Sequence, residues 1–205
     1  MKRIVWMAVL TMALPLAAFA GDVDLGNTGG TLTGSSAGLT LTGSLLTSVS
    51  GIGLGTCSTA VPCGTVSFMT SALTSGDTVN GATFAAGGTF IITSNGSDGI
   101  PAGNIFTGTF SGPVSWSNGG AKIGVDGSIE YTLMGRVSGT WSNGSTVAGT
   151  TVQLTFNTGT NGFQGSVGLG SGNTVITTVP EPGTLGLLGT GLVGLAGIVR
   201  KKLKA

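Results

Sequence analysis

Histidine is missing from all 205 residues. That absence removes the imidazole base of a Ser-His-Asp or Cys-His nucleophile system and the commonest nitrogen ligand of a metal site. Charge is scarce as well, with eight Lys or Arg and seven Asp or Glu. Residues 21–179 carry only Lys122 and Arg136 against Asp22, Asp24, Asp77, Asp98, Asp126 and Glu130, a net charge of −4. Without clustered cations to neutralise phosphate, nucleic acid is excluded as a partner. The only two cysteines, Cys57 and Cys63, are too few for a zinc cage when no histidine can complete it. Asp22 and Asp24 lack the alternating acidic ligands and closing Glu of a calcium loop, and the glycines form no phosphate-cradling unit. No metal and no cofactor is expected. One catalytic option survives, a carboxylate pair for glycoside hydrolysis, with Asp126 and Glu130 the nearest candidates. Both read more simply, Asp126 as a turn former and Glu130 as a solvent-facing strand residue. The expectation is that there is no catalytic residue and that the protein is not an enzyme.

The few cations crowd at the two ends. Lys2 and Arg3 precede an apolar stretch, Ile4 to Ala18, and Ala18-Phe19-Ala20 places small residues where a signal peptidase requires them. Residues 1–20 therefore read as a secretory signal peptide cut between Ala20 and Gly21. At the other end, Thr184 to Val199 is an uncharged run, followed by Arg200, Lys201, Lys202 and Lys204. As a helix, 184–199 would span about 24 Å, somewhat less than the roughly 30 Å hydrocarbon core. Snorkelling lysines or local thinning can close that gap. The basic tail 200–205 is expected to stay on the cytoplasmic side. Glycines at spacings near three, from Gly183 to Gly197, suit a membrane helix approached closely by another helix. They suit a soluble core helix poorly, because each costs about 1 kcal/mol of helix propensity.

Pro180-Glu181-Pro182, the Gly-rich apolar run and the terminal cation cluster, in that order, resemble the PEP-CTERM sorting signal over residues 180–205. The two prolines keep the backbone extended, which suits either a protease substrate or a rigid stalk. The resemblance implies export in a Gram-negative bacterium. It also implies recognition by an exosortase, a membrane-embedded protease that would remove the anchor on the way to the cell surface or extracellular matrix. Members of the family accompany exopolysaccharide production, so membrane, exosortase and exopolysaccharide are the partners to test.

The exported segment, 21–179, is about half Gly, Thr and Ser. Its apolar residues nevertheless alternate. Phe106, Phe110, Val114 and Trp116 share one parity. Ile129, Tyr131, Leu133, Val137 and Trp141 share another, with Glu130, Thr132 and Arg136 facing away, and Val152, Leu154 and Phe156 follow suit. Period-two patterning predicts half-buried strands. Asn-Gly at Asn80, Asn95, Asn118, Asn143 and Asn161, and Asp-Gly at Asp98 and Asp126, predict the turns between them. The expected fold is an all-β antiparallel sandwich or barrel of roughly eight to ten strands, strongest over 104–178. Over 21–60 the small-residue bias raises the prospect of partial disorder. In an exported chain, Cys57 and Cys63 are expected to form one disulfide.

Two features bear on binding. Trp116-Ser-Asn-Gly recurs as Trp141-Ser-Asn-Gly, which reads as two strands ending at turns or as a pair of exposed, sugar-stacking rings. Thr31/Thr33, Thr40/Thr42 and Thr107/Thr109 each put two hydroxyls on one strand face. The principal reading is a structural or adhesive surface protein; a carbohydrate- or ice-binding module is the alternative.

Overall fold

The computed structural model describes residues 22–51, 57, 62–123, 128–177 and 191. The folded unit is Asp22–Thr177. Its described residues form thirteen strands: β1 (Asp22–Thr28), β2 (Thr31–Ser35), β3 (Gly38–Ser50), β4 (Gly64–Thr70), β5 (Leu73–Asp77), β6 (Gly81–Phe84), β7 (Gly88–Ser94), β8 (Gly103–Phe110), β9 (Val114–Ile123), β10 (Ser128–Trp141), β11 (Thr146–Asn157), β12 (Ser166–Gly168) and β13 (Ser171–Thr177). Among the described residues the one helical piece of the unit is a 3-10 turn at Ser97–Gly99.

Eight strands close into a ring in the order β1-β3-β4-β7-β8-β10-β11-β13 and back to β1, every pairing antiparallel. Closure leaves that ring without a free edge. The first and last strands are neighbours: Asp22 faces Thr177 and Thr28 faces Ser171. β13 lies between β1 and β11, with both of its ladders paired. The folded unit therefore begins and ends on one rim.

Two strands are longer than the ring needs, and there the sheet forks. β10 pairs with β8 through Val137–Trp141 and, on the same edge, with β9 through Ser128–Met134. From β9 a flap continues through β6 to β5. In the same way β3 passes from β1 to β2, and β2 carries the short β12. The expectation of an all-β antiparallel fold holds, the barrel is the form adopted, and five strands are added to its eight.

An eight-stranded barrel has room inside for side chains and little else. Here the filling is aromatic. Trp141 packs on Phe106 (ring centroids 4.6 Å apart), Phe106 on Phe90, Phe90 on Phe110, Phe110 on Phe68, Phe68 on Phe156 and Phe156 on Trp116, with later steps of 5.9–6.4 Å. Such tilted and edge-on contacts are the geometry ring quadrupoles prefer. Inward glycines make room for them. A Cβ on Gly108 would lie 2.6 Å from Val137 and 2.8 Å from Phe106, and one on Gly139 would lie 2.4 Å from the Thr107 carbonyl.

The stretch 22–50, where partial disorder was in prospect, is instead ordered as β1, β2 and β3. Val23, Leu25, Leu32, Leu39, Leu41, Leu46 and Val49 face the core, while most of the small polar residues between them take the outer face; Asn27 and Ser44 are buried, with Asn27 Nδ2 donating to Ser44 Oγ (2.6 Å). No described helix is long and apolar enough to cross a membrane. The expected signal peptide and, apart from residue 191, the expected span 184–199 lie outside the described residues.

Candidate functional site

The most elaborate polar arrangement in the barrel lies where the β5–β6 flap covers β9 and β10. Trp116 on β9, opposite Leu133, and Tyr131 on β10, opposite Asn118, stack diagonally at 4.8 Å and 12° between planes, and Phe163 closes edge-on against both. All three are buried. The Trp116 indole N–H donates to the Thr78 carbonyl (2.8 Å) and the Tyr131 hydroxyl donates to the Val79 carbonyl (2.9 Å). The same hydroxyl accepts from Asn118 Nδ2 (3.2 Å) and from the Phe163 amide (3.3 Å). Every polar tip in the cluster thus meets a partner, which is what keeps a buried Tyr or Trp from being costly.

The carbonyls that receive these bonds belong to the turn joining β5 to β6, and Asp77 shapes that turn. Its Oδ1 accepts from the amides of Val79 (2.9 Å) and Asn80 (2.8 Å), and both carboxylate oxygens accept from Asn80 Nδ2. Asn80's side chain, then the Asn80 and Val79 amides, hold the Asp77 carboxyl below its ordinary pKa, because each bond favours the charged form. A depressed folded-state pKa contributes stability above the unfolded value and loses it as pH falls through the folded one. The turn is therefore expected to loosen as pH falls below about 4, read as a change in Trp116 fluorescence in a Trp141→Phe background of the 22–177 unit. Asp77→Ala is expected to show the loosened signal at neutral pH. Sequence reading missed this clamp. Its available signals were the Asp-x-x-Asn spacing and the fact that Tyr131 is the one tyrosine in the chain.

The sugar-stacking reading of the paired tryptophans is overturned. Trp116 is 2 % exposed and Trp141 7 %, and both rings are committed to the aromatic core. The two copies of Trp-Ser-Asn-Gly also differ in setting. Asn143-Gly144 makes the β10–β11 turn, with Gly144 at φ 84°. Asn118-Gly119 instead lies inside β9, where the register against β10 shifts and Gly120 takes φ 64°.

Two of the three threonine pairs become direct neighbours, with Thr31 opposite Thr42 and Thr33 opposite Thr40 on β2 and β3. The third pair, on β8, is three ring steps from β3. Closing eight strands turns the surface by about 45° at each step, so the three pairs do not share a plane. None of β2, β3, β4, β7, β8 and β12 contains a charged residue, leaving this outer wall to hydroxyls, amides and a few apolar groups.

Cys57 and Cys63 form the expected disulfide, with Cα atoms 5.9 Å apart. Cys63 is fully buried, and its amide donates to the Leu46 carbonyl. Of the two candidate carboxylates, Glu130 is half-buried on β10 opposite Asn157, and Asp126 lies outside the described residues. Ala20, Gly21, Pro180, Glu181, Pro182, Arg200, Lys201, Lys202 and Lys204 lie outside them too.

Fold and disulfide define a closed β-barrel with one short cross-linked loop, and in sequence its last strand immediately precedes the C-terminal segment. The PEP-CTERM protein-sorting motif matches residues 178–201, beginning one residue after β13 ends at Thr177. The chain thus carries a PEP-CTERM sorting domain, a motif that indicates export and sorting to the cell envelope and implies processing by an exosortase. No curated protein and no solved structure matches the chain.

Proposed function

We propose that the mature protein is a non-enzymatic structural or adhesive component of the cell surface or extracellular matrix, freed from its C-terminal anchor by an exosortase. The observation that carries this reading is the sorting motif at 178–201, which follows in sequence a barrel whose eight-stranded ring is closed. The passenger is a compact, disulfide-linked body with its aromatic rings turned inward, suited to persist outside the cell. The lack of any histidine supports a role without acid–base catalysis at neutral pH. In the native host, wild-type protein is expected in the cell-free matrix or surface wash. A chain in which Pro180, Glu181 and Pro182 are all replaced by Ala is expected to stay with the membranes. Equal distribution of the two would contradict the proposal.

A second reading, weak binding of a neutral carbohydrate, draws support from the uncharged outer wall and the Thr31–Thr42 and Thr33–Thr40 neighbours. Ice binding draws less, because the curvature of the barrel separates the third pair from the other two. Retention on an uncharged polysaccharide column, abolished by Thr33→Asp with Thr40→Asp, would favour this reading.

A further inference from the structure

Five Asn-Gly pairs occur in the chain, and the fold treats one of them differently. In four, the asparagine side chain is tied down. Asn80 Nδ2 donates to the Asp77 carboxylate. Asn95 donates to the Pro62 carbonyl and accepts from the Ser97 amide. Asn118 donates to Tyr131 and Val79 and accepts from the Gly120 amide. Asn143 accepts from both the amide and the hydroxyl of Ser145.

The fifth is Asn161, exposed in the turn after β11. Among the described residues its side chain makes no hydrogen bond; only its main-chain carbonyl is engaged, by Gln164. The next amide is weakly held as well. Gly162 N–H reaches the Gly159 carbonyl at 3.4 Å, whereas Gly144 N–H, in the comparable β10–β11 turn, reaches Trp141 at 2.9 Å. A bond at 3.4 Å lies beyond the usual 2.7–3.2 Å range for N–H···O and is correspondingly weak.

We infer that Asn161 is a site of spontaneous covalent modification, the one Asn-Gly pair that the folded protein leaves free to cyclise. The deprotonated Gly162 nitrogen attacks Asn161 Cγ. A new N–Cγ bond forms, the Cγ–Nδ2 bond breaks, and the amide nitrogen leaves as ammonia with the proton that Gly162 gave up. Water then opens the succinimide at either carbonyl, giving aspartate or isoaspartate, with no change of oxidation state. Either product adds one negative charge to a turn that had none. The isoaspartate product also inserts a backbone methylene just before Gly162 and Phe163, and Phe163 packs against Trp116 and Tyr131. A protein sorted out of the cell would carry this alteration for as long as it persists, so ageing would act on the aromatic cluster through this turn.

The test is incubation of the folded, disulfide-intact chain at mildly alkaline pH, followed by peptide mapping with isoaspartate detection. The expected result is the amide-to-acid mass gain at Asn161 several-fold faster than at Asn80, Asn95, Asn118 or Asn143. In denaturant all five are expected to react at comparable rates, which shows that the selectivity comes from the fold. Asn161→Gln, a change on an exposed side chain, is expected to remove the fast phase and leave the other four sites unchanged. The inference is overturned if another pair reacts first in the folded chain, or if Asn161 reacts in denaturant but not in the folded protein.

Discussion

A chain that stops at Gly170 is expected to lose the barrel, and one that stops at Thr177 is expected to keep it. The reason is the position of β13 in the ring. It is last in sequence but lies between β1 and β11, so removing it deletes two ladders at once. It also uncovers the interior beside the buried Thr174 and Ile176. Each ladder hydrogen bond contributes about 1 kcal/mol net. Losing both ladders together with the buried apolar surface is therefore a change of the same size as the whole stability of a domain, about 5–15 kcal/mol. Residues 22–170 are expected to be protease-sensitive, without a cooperative thermal transition, while 22–177 unfolds cooperatively. Cooperative unfolding of 22–170 at the temperature of 22–177 would show that the ring does not close through β13. The same geometry limits processing: a cut beyond Thr177 leaves the barrel complete, and a cut inside β13 opens it.

The second large effect is expected at the stacked pair under the flap. Trp116→Ala removes a fully enclosed ring that touches Tyr131, Phe156 and Phe163. It is expected to cost about 3–5 kcal/mol, as aromatic-to-alanine changes in cores do. Tyr131→Phe keeps the ring but strips the hydroxyl that serves Val79, Asn118 and Phe163. Stranding buried partners in this way is expected to cost about 1–3 kcal/mol. Because the two rings touch, the double variant should depart from the sum of the singles. Additive losses from denaturant unfolding of all three variants would mean that the flap does not couple the two residues.

These two sites also show what the sequence could and could not tell. The alternation of Ile129, Tyr131, Leu133, Val137 and Trp141 was visible, and each of these side chains turns toward the core, because a strand's period of two is written directly into residue order. Closure was not visible. A sandwich and a barrel share that period, and the pairing of Asp22 with Thr177 joins residues from opposite ends of the folded unit. The fork at β10 was hidden for a related reason: one strand edge is shared by β8 and β9, and no local pattern records which partner takes which half. Asn118-Gly119 read as a turn because Asn-Gly tolerates positive φ. The same tolerance serves a bulge, and Gly120 at φ 64° lets β9 continue past it. In β1 to β3, wide outer-face runs of Gly, Ser and Thr diluted an inward apolar series that is nonetheless regular. The sorting motif, by contrast, was fully legible, because its three parts are contiguous and need no tertiary partner to be recognised.

The most direct test of the central claim, that C-terminal sorting delivers this barrel to the outside of the cell, is intact-mass and terminal-peptide analysis of the protein recovered from native cells. A surface or matrix species that starts at Gly21, ends beyond Thr177 and lacks the apolar run 184–199 is the expected result. Recovery of the uncut chain, Met1 through Ala205, from the cytosol would contradict it.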